Sequence, residues 1–248
     1  MIDAHAPVET FDEIDSTLLE ARRRADAGNF GPVWLIAKTQ TAGRGRRGRA
    51  WQSLEGNLLA TYLCAADRPP GDIALLGFAA GVVIAETIDT YIGGGRATLK
   101  WPNDVLIDGA KACGILLDSG TTNGSAWAAL AFGVNLAAAP EGLDQPTICL
   151  RQLLPPDAPA PAPLPFLESV RPKLEALDQQ LATHGFAPLR KAWLARAHGL
   201  GQAARVAQGE TIIEGRIAGL SERGELELET PQGRQLVSAG DVYFPKAG

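Results

Sequence analysis

The chain has 248 residues, 46% hydrophobic and 21% charged, a composition that builds a sizeable core and excludes wholesale disorder. Its net charge of −5 excludes a surface built throughout to hold nucleic acid. Cys64, Cys113 and Cys149 lie far apart without metal-ligand spacing, which predicts reduced thiols in a cytoplasmic protein.

The acidic N-terminus lacks the apolar run of a secretory signal. Thr17-Leu-Leu-Glu20 is a capping-box pattern and predicts a helix running to Gly28. Residues 33–37 and 58–64 read as strands, separated by a segment too rich in Gly and Arg to be a core element. Asp72 is placed to cap a long apolar helix ending near Tyr91. Gly77, Gly81 and Glu86 interrupt this stretch, so it reads as a buried helix and not a membrane span. Short strands are expected at 97–100 and 105–107. Asp108-Gly109 and Asn123-Gly124 signal hairpins, with strands at 111–118 and 126–134. The six prolines of 155–165 suit a semi-rigid loop, followed by helices at 167–184 and 188–198. Short β-like runs at 203–207, 211–218, 225–230 and 234–238 predict a small barrel. The expected fold is α+β with a mixed, largely antiparallel sheet. Its domains are placed at 1–199 and 200–248.

Three segments carry functional groups. Gly43-Arg-Gly-Arg-Arg-Gly-Arg49 packs four of the chain's 17 arginines into seven residues. Its glycines permit positive φ and close backbone approach, and its guanidinium forks suit polyphosphate. Without a Gly-Lys-Ser/Thr ending it is not a Walker loop, and taken alone it suits a solvated basic turn or a nonspecific RNA patch better than a polyphosphate site. Lys100-Trp-Pro-Asn-Asp104 offers an ammonium, an amide and a carboxylate, suited to phosphate, adenine and a divalent cation, or else forms an ordinary strand end. Lys111-Ala-Cys-Gly-Ile-Leu116 presents a lysine that faces either a cleft or solvent.

Together with Asp15-Ser-Thr17 and Gly133-Val-Asn135, these segments resemble the biotin protein ligases in order and spacing over most of 10–245. The resemblance implies a class II synthetase-like catalytic fold with a C-terminal SH3-like barrel. It also implies ATP-dependent formation of biotinyl-5′-AMP, then transfer of biotin to a lysine of a carboxylase carrier domain, with Mg²⁺ as cofactor. By motif, Ser16, Thr17, Gln40, Gly43, Arg44, Lys111, Gly114 and Ile115 match biotin-binding positions. Arg46, Arg47, Arg49, Trp51, Asn103, Asp104 and Asn135 match nucleotide positions, with Asp104 also the metal candidate. Arg44, Arg46, Lys100 and Lys111 are the expected catalytic cations, and the 43–49 loop is expected to close over the adenylate.

Leu18 stands where the family often has Asn, and no Arg follows Arg234 in the tail. With about fifteen residues before Ser16, no helix-turn-helix and no DNA binding are expected. No membrane association is expected either. Members of the family include monomers and homodimers. A lipoate or octanoate ligase or transferase is the nearest competing function, and an RNA-binding protein using 43–49 the next. A peptide-binding barrel is disfavoured, because Tyr243 and Phe244 are the barrel's only aromatics.

Overall fold

The computed structural model describes residues 2–245; Met1 and residues 246–248, which include the end of the expected barrel domain, lie outside it. In chain order the elements are β1 (Val8–Ile14), α1 (Thr17–Asp26), β2 (Val33–Gln40), β3 (Leu58–Ala65), α2 (Pro70–Ala74), α3 (Leu76–Ile92), β4 (Ala97–Lys100), β5 (Asp104–Ile107), β6 (Ala110–Thr122) and β7 (Ser125–Val134). Then follow α4 (Pro163–His184), α5 (Phe186–Leu194), β8 (Ala203–Gln208), β9 (Thr211–Leu220), β10 (Leu226–Thr230), β11 (Gly233–Val237) and β12 (Asp241–Tyr243).

Seven strands form one sheet in the order β1-β2-β3-β7-β6-β5-β4. All its pairings are antiparallel except β1 with β2. Side chains alternate across a strand, and here both faces are covered. Val33, Leu35, Leu63, Trp127 and Ala129 pack under α1 with Leu18, Ala21 and Ala25. Their neighbours Trp34, Ile36, Tyr62, Ala128 and Leu130 join the larger cluster with α3 and α4. Double-sided burial explains why the central strands read as continuous apolar runs. The apolar stretch Pro70–Ile92 is long enough to cross a membrane by length and composition, but most of it is buried in this core.

Both hairpin signals form turns with positive φ, at Asp108-Gly109 (50° and 84°) and Asn123-Gly124 (52° and 81°). The C-terminal strands form a five-stranded sheet, β11-β10-β9-β8-β12, consistent with the expected SH3-like unit.

Several local expectations are corrected. Ser16, not Thr17, caps α1, with Oγ accepting from Leu19 N at 3.4 Å. Glu20 instead bonds Arg23 and Arg24, the arginines of the last turn. Asp72 does not cap the long helix; it lies within the separate α2, and α3 begins at Leu76. Proline at the start of a helix loses no intrahelical bond, so Pro163 and Pro165 open α4 instead of extending the loop. The helix expected at 188–198 runs over Phe186–Leu194. Strand β1, unrecognised in the sequence, is a sheet edge whose Glu9, Asp12 and Glu13 hide its β character.

Candidate active site

Three neighbouring pieces of the large sheet carry the motif residues. Strand β6 supplies Lys111, Gly114 and Ile115, and the end of β7 supplies Gly133 before Asn135. The β4–β5 hairpin, which pairs with β6, supplies Lys100, Asn103 and Asp104. Register places Asp104 opposite Gly114 and Gly114 opposite Gly133.

At one end is a buried polar chain. Thr61 Oγ1 donates to Thr17 Oγ1 at 2.8 Å, and Thr17 donates to Gln40 Oε1 from its hydroxyl at 3.0 Å and its backbone N at 2.7 Å. Ser53 Oγ accepts from Gln40 N at 3.0 Å. Thr17 and Gln40 are among the residues the motifs single out, whereas Thr61 is not. The Thr61 hydroxyl, beside Tyr62 in an otherwise apolar strand, was the available signal, since a buried hydroxyl requires a partner.

Further along lies a charged cluster. Lys111 Nζ is 2.7 Å from Asp104 Oδ1, with both side chains largely shielded. Lys100 Nζ stands 6.0 Å from the centre of the Phe244 ring. Burial lowers the Lys100 pKa below the usual lysine range and Lys111 adds repulsion, while Asp104 acts oppositely. Burial also pulls the Arg46 guanidinium down, opposed by Asp241 and Asp104. Close packing of like charge is costly in a shielded site unless an anion arrives to offset it.

Trp51 lies between these two regions. A Cβ at Gly114 would come within 2.8 Å of Trp51 Cζ3, and one at Gly133 within 2.4 Å of Trp51 Cε2. Both glycines are therefore required for the indole to lie over β6 and β7. The ring centre is 5.7 Å from Lys111 Nζ, and the buried indole N–H has no partner among the described residues.

The glycines of the 43–49 loop meet the expectation in part. Positive φ falls on Arg47 (55°) and Gly48 (74°), not on Gly43 or Gly45. Gly43 is needed for close approach, because a Cβ there would sit 2.5 Å from Trp51 O. Arg44 and Ala50 form an isolated bridge, and Gly45 N donates to Arg49 O at 2.7 Å. Arg44 is exposed and has no ion pair among the described residues. Arg46, Arg47 and Arg49 all reach Asp241 at the start of β12. Asp241 was missed because no local pattern marks an acid 192 residues from its partner.

Asn103 and Asn135 have backbone partners. Asn103 Nδ2 donates to Ile115 O at 2.7 Å, and Ile115 N returns a bond to Asn103 O at 2.9 Å. Asn135, almost fully buried, donates to Ile148 O at 3.2 Å and Lys111 O at 3.4 Å. Asn57, also missed, accepts from the backbone N atoms of Leu136, Ala137 and Ala138 at 3.0, 3.0 and 3.1 Å. Together these amides fix the chain that follows β7. Among the described residues no cluster of His, Cys, Asp and Glu could hold a metal by itself.

Residues 13–135 match the Biotin/lipoate A/B protein ligase family, and residues 199–244 match the Biotin protein ligase C terminal domain. The chain is 39% identical to a biotin–[acetyl-CoA-carboxylase] ligase of Paracoccus denitrificans, over 93% of this chain and 97% of that one. Its fold is similar to biotin protein ligase from Aquifex aeolicus in complex with biotin and ATP. That match has a TM-score of 0.79 and 23% identity, and covers 96% of this chain and 97% of the other. It is also similar to the Leishmania major enzyme in complex with biotinyl-5-AMP. Here the TM-score is 0.68 and the identity 21%, covering 94% of this chain and 99% of the other.

Proposed function

The chain belongs to the biotin protein ligase family, and from that membership we propose the following reaction and residue roles. The protein activates biotin with ATP and transfers it to a lysine of a biotin carboxyl carrier domain. The biotin carboxylate attacks the α-phosphorus of ATP, forming biotinyl-5′-AMP and releasing pyrophosphate. The carrier amine then attacks the activated carbonyl, and AMP leaves.

Bringing a carboxylate to a triphosphate requires local positive charge, and the charged cluster supplies it. The observation that carries the assignment is the Lys111–Asp104 pair at 2.7 Å, standing beside Lys100 and under Trp51. In this reading Lys111 leaves Asp104 to contact the biotin carboxylate and α-phosphate. Ser16, Thr17 and Gln40 hold the biotin ring, with Thr61 fixing the Thr17 hydroxyl. Gly114 and the Ile115 main chain line the pocket beneath, the Ile115 side chain being buried in the large core. Arg46, Arg47, Arg49 and Lys100 face the phosphates, Trp51, Asn103 and Asn135 serve the adenine, and Arg44 and Gly43 close the loop over biotin.

Magnesium bound with ATP would neutralise phosphate charge. The Asp104 carboxylate is the residue that would hold it, a sparse donor set that suits Mg²⁺ because this ion keeps waters and substrate oxygens. In this reading the catalytic part is 1–199 and the part that helps receive the carrier is 200–248, of which residues 2–245 are described. Three free, buried cysteines support a reducing cytoplasmic setting.

The test is isotope exchange between pyrophosphate and ATP with biotin, lipoate or octanoate. Exchange with biotin alone is expected, followed by labelling of an added carrier domain. Exchange with lipoate or octanoate alone would move the chain to the sister activity and direct attention to Leu18, which is buried under the sheet.

A further inference from the structure

Asp241 holds three arginines of one loop. Arg46 Nη1 lies 3.4 Å from Asp241 Oδ1, Arg47 Nη1 lies 3.1 Å from Oδ2, and Arg49 also reaches Oδ2. Main-chain oxygens complete the seat, Gly240 O accepting from Arg46 at 3.0 Å and Ala207 O from Arg47 at 3.2 Å. The Asp241 side chain is only 11% exposed, so the carboxylate is shielded from water, while the Arg47 and Arg49 side chains are more open. Nothing in the reaction requires an acid here, and its presence beside an anion-binding loop needs an explanation.

Charge balance supplies one. Four arginines in seven residues repel one another, and without an anion the loop would disperse them. One carboxylate offsets only one of the three charges it gathers, so the trio keeps an excess of two. The forks are not used up, since Arg46 and Arg49 each spend a single nitrogen on the barrel. Ordering the cationic groups beforehand removes an entropy cost from ligand binding.

We propose that Asp241 is a positioning residue for the nucleotide: it gathers Arg46, Arg47 and Arg49 against the barrel so that ATP meets a preformed cationic cluster. The barrel thereby contributes to ATP binding through an acid acting on the loop. The proposal rests on the ligase reading, which supplies the polyphosphate.

The near-isosteric Asp241→Asn variant tests it. The ATP KM of biotin-dependent exchange is expected to rise about tenfold with kcat changed less than about twofold, since only ground-state organisation is lost. Asp241→Glu keeps the charge and should recover most of the affinity; it also serves if the amide variant does not fold. Trypsin acting on the ligand-free protein should cut after Arg46, Arg47 or Arg49 several times faster in Asp241→Asn, as read by mass spectrometry. That measurement needs no catalysis, so it separates failure of this proposal from failure of the ligase reading. Three results would overturn it. An unchanged KM would leave Asp241 a merely structural contact, whatever the cleavage rate. A lowered KM would make the carboxylate a competitor of the nucleotide. Equal cleavage of the two proteins would show that Asp241 does not hold the loop.

Discussion

Lys111 and Asp104 form an ion pair of 2.7 Å across the β5–β6 edge, joining the two motifs that the sequence keeps seven residues apart. The pair stores the lysine in a defined place until a competing anion arrives. Lys111→Ala is expected to slow biotin-dependent exchange at least about 100-fold, equivalent to about 2.7 kcal/mol of transition-state stabilisation. It also strands a shielded carboxylate, at a cost of about 1–3 kcal/mol in stability. Exchange kinetics and denaturant unfolding of the same sample check both.

The polar chain at the other end predicts a selective effect on biotin. Thr61→Val keeps the shape of the side chain but removes the donor that bonds Thr17 Oγ1 at 2.8 Å. Loss of about 1.4 kcal/mol there corresponds to a tenfold rise in the biotin KM. The ATP KM should be unaffected; an equal rise in both constants would count against the division of the site.

Gly133→Ala places a methyl group 2.4 Å from Trp51 Cε2, a distance the ring cannot accept. Trp51 must leave its seat over β6 and β7. The expected outcome is a shifted tryptophan emission and a severe loss of adenylation, with far-UV circular dichroism retained.

Arg44 is the arginine of the loop that Asp241 does not hold. Arg44→Ala should leave stability within about 0.5 kcal/mol, as expected of an exposed side chain. It should release more biotinyl-adenylate into solution, detectable as biotinylation of a bystander protein. Wild-type leakage would refute its covering role.

Asp89 makes acid sensitivity a property of the core. Burial alone would raise its pKa, but the Arg196 contact at 2.6 Å and backbone donors outweigh it and lower the value. A carboxyl lowered on folding stabilises the protein above its unfolded pKa of about 3.9, and that contribution disappears as pH falls through the folded value. Asp89→Asn should reduce stability at neutral pH by about 2–4 kcal/mol. Its melting temperature should also vary less than wild type as the pH falls from about 5 through the lowered folded value, which a thermal series checks.

What could be read in the sequence was what short range determines. Asp108-Gly109 and Asn123-Gly124 announce their turns because only such residues accept positive φ there cheaply. The motifs of β6 and the β4–β5 hairpin meet in space because they are neighbours in both chain and sheet. Thr61 and Asp241 were not legible, since each acquires its partner from a distant element. Edge strand β1 stayed hidden because one solvated face leaves too few apolar residues to mark a strand.

Gly224 ties the barrel to the rest of the molecule. Its carbonyl accepts the Trp101 indole N–H at 3.0 Å, its φ is 80°, and a Cβ there would lie 2.8 Å from Phe78 Cε2. One hydrophobic cluster runs from Phe78 through Trp101 to Leu226 and Val242. The two sheets are therefore expected to melt as a single calorimetric transition, and neither is a portable cassette. A chimera that takes its barrel from a relative must import partners for Trp101 and Phe78 along with it, or it will lose the core of both halves at once.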